Sequence, residues 1–579
     1  MYDVVVRGGT IVDGSGEAAR TGDLAIADGR VAAIGRIPER GAREIDADGC
    51  VVTPGFVDIH THFDGQATWD PLLTPSCWHG VTTVVMGNCG VGFAPVTEPN
   101  REWLIGLMEG VEDIPGASLS EGIAWAWESF PEYLDAVAGL DRVMDVGAQV
   151  PHGAVRAYVM GDRGAANEPA TSDDIAAMVT IVRDAMRAGA LGFSTSRTTT
   201  HLAITGEPVP GTFAAEDELF ALGGVLGELG TGVFQLVPAG AGGEPMEDQF
   251  REISWMRRLS ARTGRPITFG LFQNDHEPHL WREIVDEARR ANAEGARLHP
   301  QIAGRPFSVI VGLESTHPFK RRPTYQEIVH LPLAERARRM RDPEIRRRIL
   351  SEDPASVNPR APLFPEDYEK FFPFGRQPDY EPSREQSVAA VAARAGRPAQ
   401  EVMYDLLVAG DGTQTFLRPL LGYSEFHLDP IHEMLQEPHC LVGLSDAGAH
   451  CRMICDASTP TSQLTHWVRD RTRGERLGLE FVVHKQTRQT AELYGLRDRG
   501  LLRPGYKADV NVIDFDNLAL RAPEFVHDLP AGGGRLIQKA DGYRATLVSG
   551  EVTFVDGEHT GARPGRLVRG TRGGPGDRP

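Results

Sequence analysis

Two histidines separated by one residue, in Asp58-Ile59-His60-Thr61-His62, follow directly on the apolar run Gly55-Phe56-Val57. Residues two apart on an extended strand project to the same side, so this spacing presents both imidazoles to one point. Neutral imidazoles are the commonest zinc ligands, and two of them at a strand end make half of a metal site. Satisfied core histidines would show the same spacing. Leu444-Ser445-Asp446-Ala447-Gly448-Ala449-His450 holds complementary chemistry. A carboxylate placed after an apolar run can bind a cation and take a proton from water, or can simply cap the next helix. Val84-Val85-Met86-Gly87-Asn88-Cys89-Gly90 ends on a cysteine that is either a thiolate ligand or a buried small hydrophobe. Arg197 and His201 lie in Ser194-Thr195-Ser196-Arg197-Thr198-Thr199-Thr200-His201. A guanidinium there suits a substrate carboxylate, or a surface salt bridge.

These segments need a frame that brings strand ends together. From about residue 54 to 495 short apolar runs alternate with helix-length amphipathic stretches, the pattern of βα units around a parallel sheet. Val81–Met86, Ala190–Ser194, Gly232–Val237, Pro266–Leu271 and Cys440–Ser445 read as strands, and Asp173–Arg187 and Glu216–Leu229 as helices. The expectation is an α/β fold, a (β/α)8 TIM-like barrel with its active residues at the strand C-terminal ends. Both chain ends have another texture. Val4-Val5-Val6, Leu24-Ala25-Ile26 and Val31–Ile34 are broken by tight turns, Asp28-Gly29 being suited to a type I′ hairpin. Asp509–Phe515, Ala545–Val548 and Val552–Val555 repeat the pattern. The expected organisation is a small β-sandwich from 1–53 and 496–560, a barrel over 54–495 and a lid insertion near 300–400. Residues 561–579, rich in Gly, Pro and Arg, read as a flexible tail.

Composition narrows the partners. The chain has 579 residues, 41% hydrophobic and 24% charged, ordinary values for a globular protein. Lys and Arg total 60 against 80 Asp and Glu, and a net charge of −20 repels nucleic acid. No run is long and apolar enough to read as a membrane span. Six cysteines without a CxxC pair, and no basic start followed by an apolar stretch, lead to a cytoplasmic expectation with reduced thiols. The expected partner is a small-molecule amide, and a homo-oligomer stays open.

Taken together, Thr53–His62, Gly87–Pro95, Trp127–Leu134, Gly192–Thr195, Leu444-Ser445-Asp446 and Leu501–Val510 resemble the amidohydrolase superfamily, and within it the N-acyl-D-amino-acid deacylases. The resemblance spans residues 3 to 557, and its His-Thr-His and Gly-Asn-Cys-Gly motifs are specific in combination. It implies hydrolysis of an N-acyl-D-amino acid or related N-acyl compound by metal-activated water. It also implies His60, His62 and Asp446 at one metal position, Cys89 at a second, and Asp446 as general base and acid. The family's two later histidines are missing from Gly232–Pro238 and Thr268–Gln273. One divalent metal, zinc, is therefore expected, with a second position left short of ligands. Gln235, His152, His201 and His450 are candidate additional ligands. His201 and His450 also join Arg197 as candidate substrate-binding residues. A cyclic amidase or deaminase on the same site, and a non-catalytic barrel that binds a ligand, are the alternatives.

Overall fold

Eight short apolar runs form the parallel strands of a barrel in the computed structural model, which describes residues 1–242, 244–245, 248–354 and 366–570. In chain order the strands are β1 (Phe56–Asp58), β2 (Val81–Met86), β3 (Asp145–Pro151), β4 (Gly192–Ser196), β5 (Val233–Val237), β6 (Ile267–Gly270), β7 (Leu298–Ile302) and β8 (Leu441–Val442). Neighbours pair in sequence order from β1 to β8. A parallel bridge between Thr61 and Ala447 then joins the two edges just beyond β1 and β8. Closure at that point is what brings the His-Thr-His segment beside Asp446.

The connecting helices form for local reasons. Ser172–Ala188 starts at a capping box, in which Thr171 and Asp174 satisfy each other's backbone N–H groups, and stops where Gly189 turns left-handed at φ 110°. Met178, Val182, Ala185 and Met186 recur at helical spacing and are the residues it buries. No helix among the described residues is long and apolar enough to cross a membrane.

Both chain ends meet in one nine-stranded sheet. Tyr2–Ile11 lies beside Arg20–Ala27, Gly41–Asp46 and Val51–Pro54, and Val51–Pro54 pairs in turn with Val510–Ile513. Val6, Leu24, Ile26, Val512 and Leu547 share one core. Asp28 and Gly29 both have positive φ, 52° and 71°, as a type I′ turn requires.

The excursion expected near 300–400 begins after β7, whose strand already occupies 298–302, and returns only at β8. It carries its own three-stranded sheet, Phe307–Val311, Phe372–Phe374 and Thr415–Leu421, and its own apolar core around Phe319, Tyr325, Met340 and Tyr404. The C-terminal segment read as a free tail from 561 is attached along its first part. Val568 donates to Val146 O at 2.7 Å and Gly570 to Gly189 O at 2.9 Å. Residues 571–579 lie outside the described residues.

Asp145, at the start of β3, ties these parts together. Its Oδ2 meets Arg499 at 2.5 Å and Lys507 at 2.8 Å, and its Oδ1 accepts from Arg566 N at 2.8 Å. Burial pushes the Asp145 pKa up, but the charges of Lys507 and Arg499 outweigh it and hold the carboxyl below 3.8. The stabilisation is thus present above pH 3.8 and is lost as pH falls through the folded-state value. Asp145→Ala removes the buried carboxylate shared by Arg499 and Lys507, which then keep Asp498 and Asp509, and should cost about 1–3 kcal/mol in denaturant unfolding at neutral pH. A change under about 1 kcal/mol would refute that role.

Candidate active site

At the open end of the barrel, His60, His62, Cys89 and Asp446 line a cavity of about 720 Å³. One ligand atom each from His60, His62 and Cys89 fall within 4.8 Å of one another. His60 Nε2 is 3.2 Å from Cys89 Sγ and 3.3 Å from Asp446 Oδ1. His62 Nε2 is 3.8 Å from the same sulfur and 3.7 Å from the same oxygen. Both rings therefore offer Nε2 to one point.

Local structure fixes each member. Thr61 N–H and Oγ1 both bond Val85 O, at 3.1 and 2.9 Å, and His62 N–H bonds Ala447 O at 2.7 Å, so the His-Thr-His segment is held from two sides. Cys89 sits at φ 55°, with its N–H donating to Gln235 Oε1 at 2.9 Å. The flanking glycines are required. A Cβ on Gly87 would lie 2.3 Å from Gln149 O, and one on Gly90 would lie 2.9 Å from Ser196 N. Asn88 braces the turn by donating to Thr61 O and Val85 O, and it accepts from Gln149 Nε2 at 2.8 Å. Leu444, Asp446 and His450 adopt φ of 58°, 46° and 46°, a cluster of left-handed non-glycine residues of the kind found at functional loops.

The Nδ1 atoms decide the tautomers. His60 Nδ1 is 2.8 Å from Gln301 Oε1; an amide oxygen only accepts, so Nδ1 carries the proton and Nε2 keeps its lone pair. His62 Nδ1 lies 3.3 Å from Glu112 Oε1. Burial lowers the His60 pKa to about 4 and that of His62 well below 6.5, so both rings are neutral at pH 7. Burial also raises Asp446 to about 6, Asp58 and Asp64 to about 7, and Glu112 well above 4.5. Among the described residues no Lys or Arg forms an ion pair with these four carboxyls. The site is rich in donors and short of positive charge. Two imidazoles, a carboxylate and a thiol are the donor set of a zinc-like cation, which would relieve that shortage.

The structure brings His60, His62, Cys89, Asp446, His201 and His450 to the cavity wall. Burial holds His201 near pKa 4, and its Nδ1 is 3.2 Å from Ser196 Oγ. Arg197 does not join them. Its guanidinium is taken up by Glu252 at 3.3 Å and by the carbonyls of Gly211 and Ala214, so it clamps a loop and does not face the cavity. His152 lies outside the cavity lining, between Thr195 Oγ1 at 2.9 Å and Glu218 Oε1 at 2.8 Å. Gln235 supports the Cys89 backbone, and its oxygen is spent there. Sequence reasoning missed Glu112, Gln301, Asn88 and Arg418, the last reaching the cavity from the insertion strand Thr415–Leu421.

A model of the amidohydrolase family matches residues 43–554. The chain belongs to the amidohydrolase family. It is accordingly a metal-dependent hydrolase of carbon–nitrogen bonds other than peptide bonds. N-acyl-D-aspartate deacylase of Alcaligenes xylosoxydans xylosoxydans is 28% identical over 574 residues, covering 98% of this chain and 95% of the relative. D-aminoacylase of the same organism is 37% identical over 195 residues, a match to 34% of this chain and 37% of that one. The crystal structure of N-acyl-D-glutamate deacylase from Bordetella bronchiseptica, with zinc and a phosphonate inhibitor, has a TM-score of 0.65 at 23% identity, covering 98% and 99% of the two chains. That likeness shows the shared fold of this amidohydrolase.

A cation placed between these donors would compete with protons for them. Cys89, raised well above 9 by burial, must lose its proton to bind a cation, and Asp446 must stay ionised. Zinc affinity, measured by chelator competition, should fall with pH from alkaline values because of the thiol, and more steeply below about 6 because of Asp446. Asp446→Asn should flatten that limb; an unchanged pH dependence in the variant would assign the limb to another group.

Proposed function

We propose that this amidohydrolase cleaves the amide bond of an N-acyl-D-amino acid, or a related small N-acyl compound, with one zinc ion held by His60, His62 and Asp446 and with Cys89 beside them. The observation that carries the reading is the convergence of both Nε2 atoms on Asp446 Oδ1 and Cys89 Sγ at the cavity floor. The names of the aligned relatives, which act on N-acyl-D-aspartate and N-acyl-D-glutamate, support the substrate class. A single ion is supported by Gln235 and Gln301, whose amide oxygens are engaged with Cys89 N and His60 Nδ1. Free cysteines at all six positions support a cytoplasmic placement.

When bound, zinc supplies Lewis-acid activation of water and of the substrate carbonyl. The chain's own residues do the rest. Gln301 keeps the His60 proton on Nδ1, so the ring can only accept at Nε2. Asp446 takes the proton of the attacking water and returns it to the leaving nitrogen. Phe272, Phe307, Leu420 and Leu444 give the cavity an apolar wall for the acyl chain. Arg418 is the one Lys or Arg among the described lining residues, and is the group to hold the substrate carboxylate.

Purified protein should contain about one zinc per chain, lose hydrolysis of N-acyl-D-amino acids on chelation, and regain it with zinc. Asp446→Asn should lower kcat roughly 10²- to 10⁴-fold. Protein that neither binds metal nor responds to it would overturn the reading, and turnover of cyclic amides alone would redirect it. Arg418→Met should raise KM about 10- to 100-fold while kcat changes little, since a charge-assisted hydrogen bond is worth about 1.5–3 kcal/mol. An unaltered KM would remove Arg418 from substrate binding.

A further inference from the structure

Glu112 is the last residue of the helix Arg101–Glu112 and is 2% exposed. A carboxylate there faces the negative end of the helix macrodipole, which is the wrong sign for local stability. Burial without a cationic partner is a second local cost. A residue that breaks two local rules, inside the cavity wall, is held there by what it does for its neighbours.

Those neighbours are the metal-facing histidine and the loop of Asp446. Oε1 lies 3.3 Å from His62 Nδ1, and Oε2 lies 3.8 Å from His450 Nε2. Neither His62 Nδ1 nor Glu112 Oε1 has a hydrogen-bond partner among the described residues, because at 3.3 Å the pair is misaligned. A small turn of the imidazole would align them. The backbone of the same residue grips the loop, Glu112 O accepting from His450 N–H. Asp113, left-handed at φ 49°, pairs with Arg452 two residues further on. The helix end thus clasps the loop of residues 446–452 with one residue pair, and touches His62 with the same side chain.

We propose that Glu112 is a positioning residue: its carboxylate accepts from His62 Nδ1–H, turns Nε2 toward the cation, and locks that ring to the loop carrying Asp446. It would do for His62 what Gln301 does for His60, accepting the Nδ1 proton with a side-chain oxygen. An acceptor oxygen behind a ligating imidazole fixes its tautomer and its ring orientation. This inference rests on the proposed zinc site.

The test is zinc affinity by chelator competition, with the cobalt-substituted protein's visible spectrum as the second readout. Glu112→Gln keeps an acceptor oxygen at the same reach, and should bind zinc within about threefold of wild type. Glu112→Met keeps the volume but not the acceptor, and should bind roughly 10- to 100-fold more weakly, with altered cobalt bands. Thermal unfolding of the metal-free variants separates this from a packing role, which would lower the midpoint and leave affinity unchanged. Wild-type affinity and spectrum in Glu112→Met would overturn the proposal while leaving the zinc site standing. Wild-type protein that binds no zinc would overturn both. If Glu112→Met does not fold, Glu112→Gln decides alone: a loss beyond tenfold would refute the acceptor role, and retained affinity would support it.

Discussion

A neutral imidazole can offer a lone pair from only one nitrogen, and whatever touches the other nitrogen chooses which. In this barrel that constraint is met from behind. Gln301 on β7 reaches His60 Nδ1 across the barrel, and Glu112, from a helix between β2 and β3, lies against His62 Nδ1. The two histidines are two residues apart, yet their partners are 189 residues apart in sequence. The site therefore exists only when the barrel has closed. Closure is itself made by Thr61, between the two rings, pairing with Ala447, next to Asp446. One local pairing serves fold and chemistry at once.

Behind the rings lies a layer of amides. Gln149 stands level with Gly192 and Val233, so Gln235 lies two residues further along β5; Gln235 stands level with Thr268 and His299, so Gln301 lies two further along β7. A two-residue advance for every two strands is the stagger of an eight-stranded barrel, which sets alternate strands' residues in one layer. The three glutamines thus share a level directly behind the site. Each oriented amide supports a neighbour: Asn88 through Gln149, the Cys89 backbone through Gln235, His60 through Gln301. Amides add no net charge, so this layer provides no counter-charge to the buried carboxyls near it. That imbalance is why a cation fits.

The strand runs, the sheet built from both ends and the Asp28-Gly29 turn were legible because period and turn chemistry are local properties. β3 and β7 were not: Asp145–Pro151 is broken by Gly147 and Gln149 and ends on proline, and Leu298-His299-Pro300-Gln301-Ile302 has a proline and two polar residues in five, so each reads as loop until its neighbours bury it. The cavity residues His60, His62, Cys89 and Asp446 were legible as motifs, whereas their supports were not. Glu112, at a helix end, reads by residue type as a solvated acid, although its spacing of four from Met108 places it on the buried face, against His62 and the distant loop at 446–452. Arg197 misled for the opposite reason. Its position after β4 was right, but the sequence could not show that Glu252 and two carbonyls already claim its guanidinium. A signal was available for one member of the amide layer: Gln235 interrupts the otherwise apolar run Gly232–Val237.

The loop after β8 shows how such a site can persist although its backbone is unfavourable. Leu444, Asp446 and His450 are left-handed without being glycine, each at a cost of about 1–3 kcal/mol. Ser445, between two of them, donates to the carboxyl of Asp58, and Asp58 in turn accepts from His60 N–H at 3.2 Å. The loop is therefore bonded at its start to the His-Thr-His segment and at its end to the helix terminus at Glu112 and Asp113. Strain held between two fixed ends can relax only by breaking contacts at both. Asp446 is thereby kept at its distance from the two Nε2 atoms before any ligand arrives, and little reorganisation is left for the binding step.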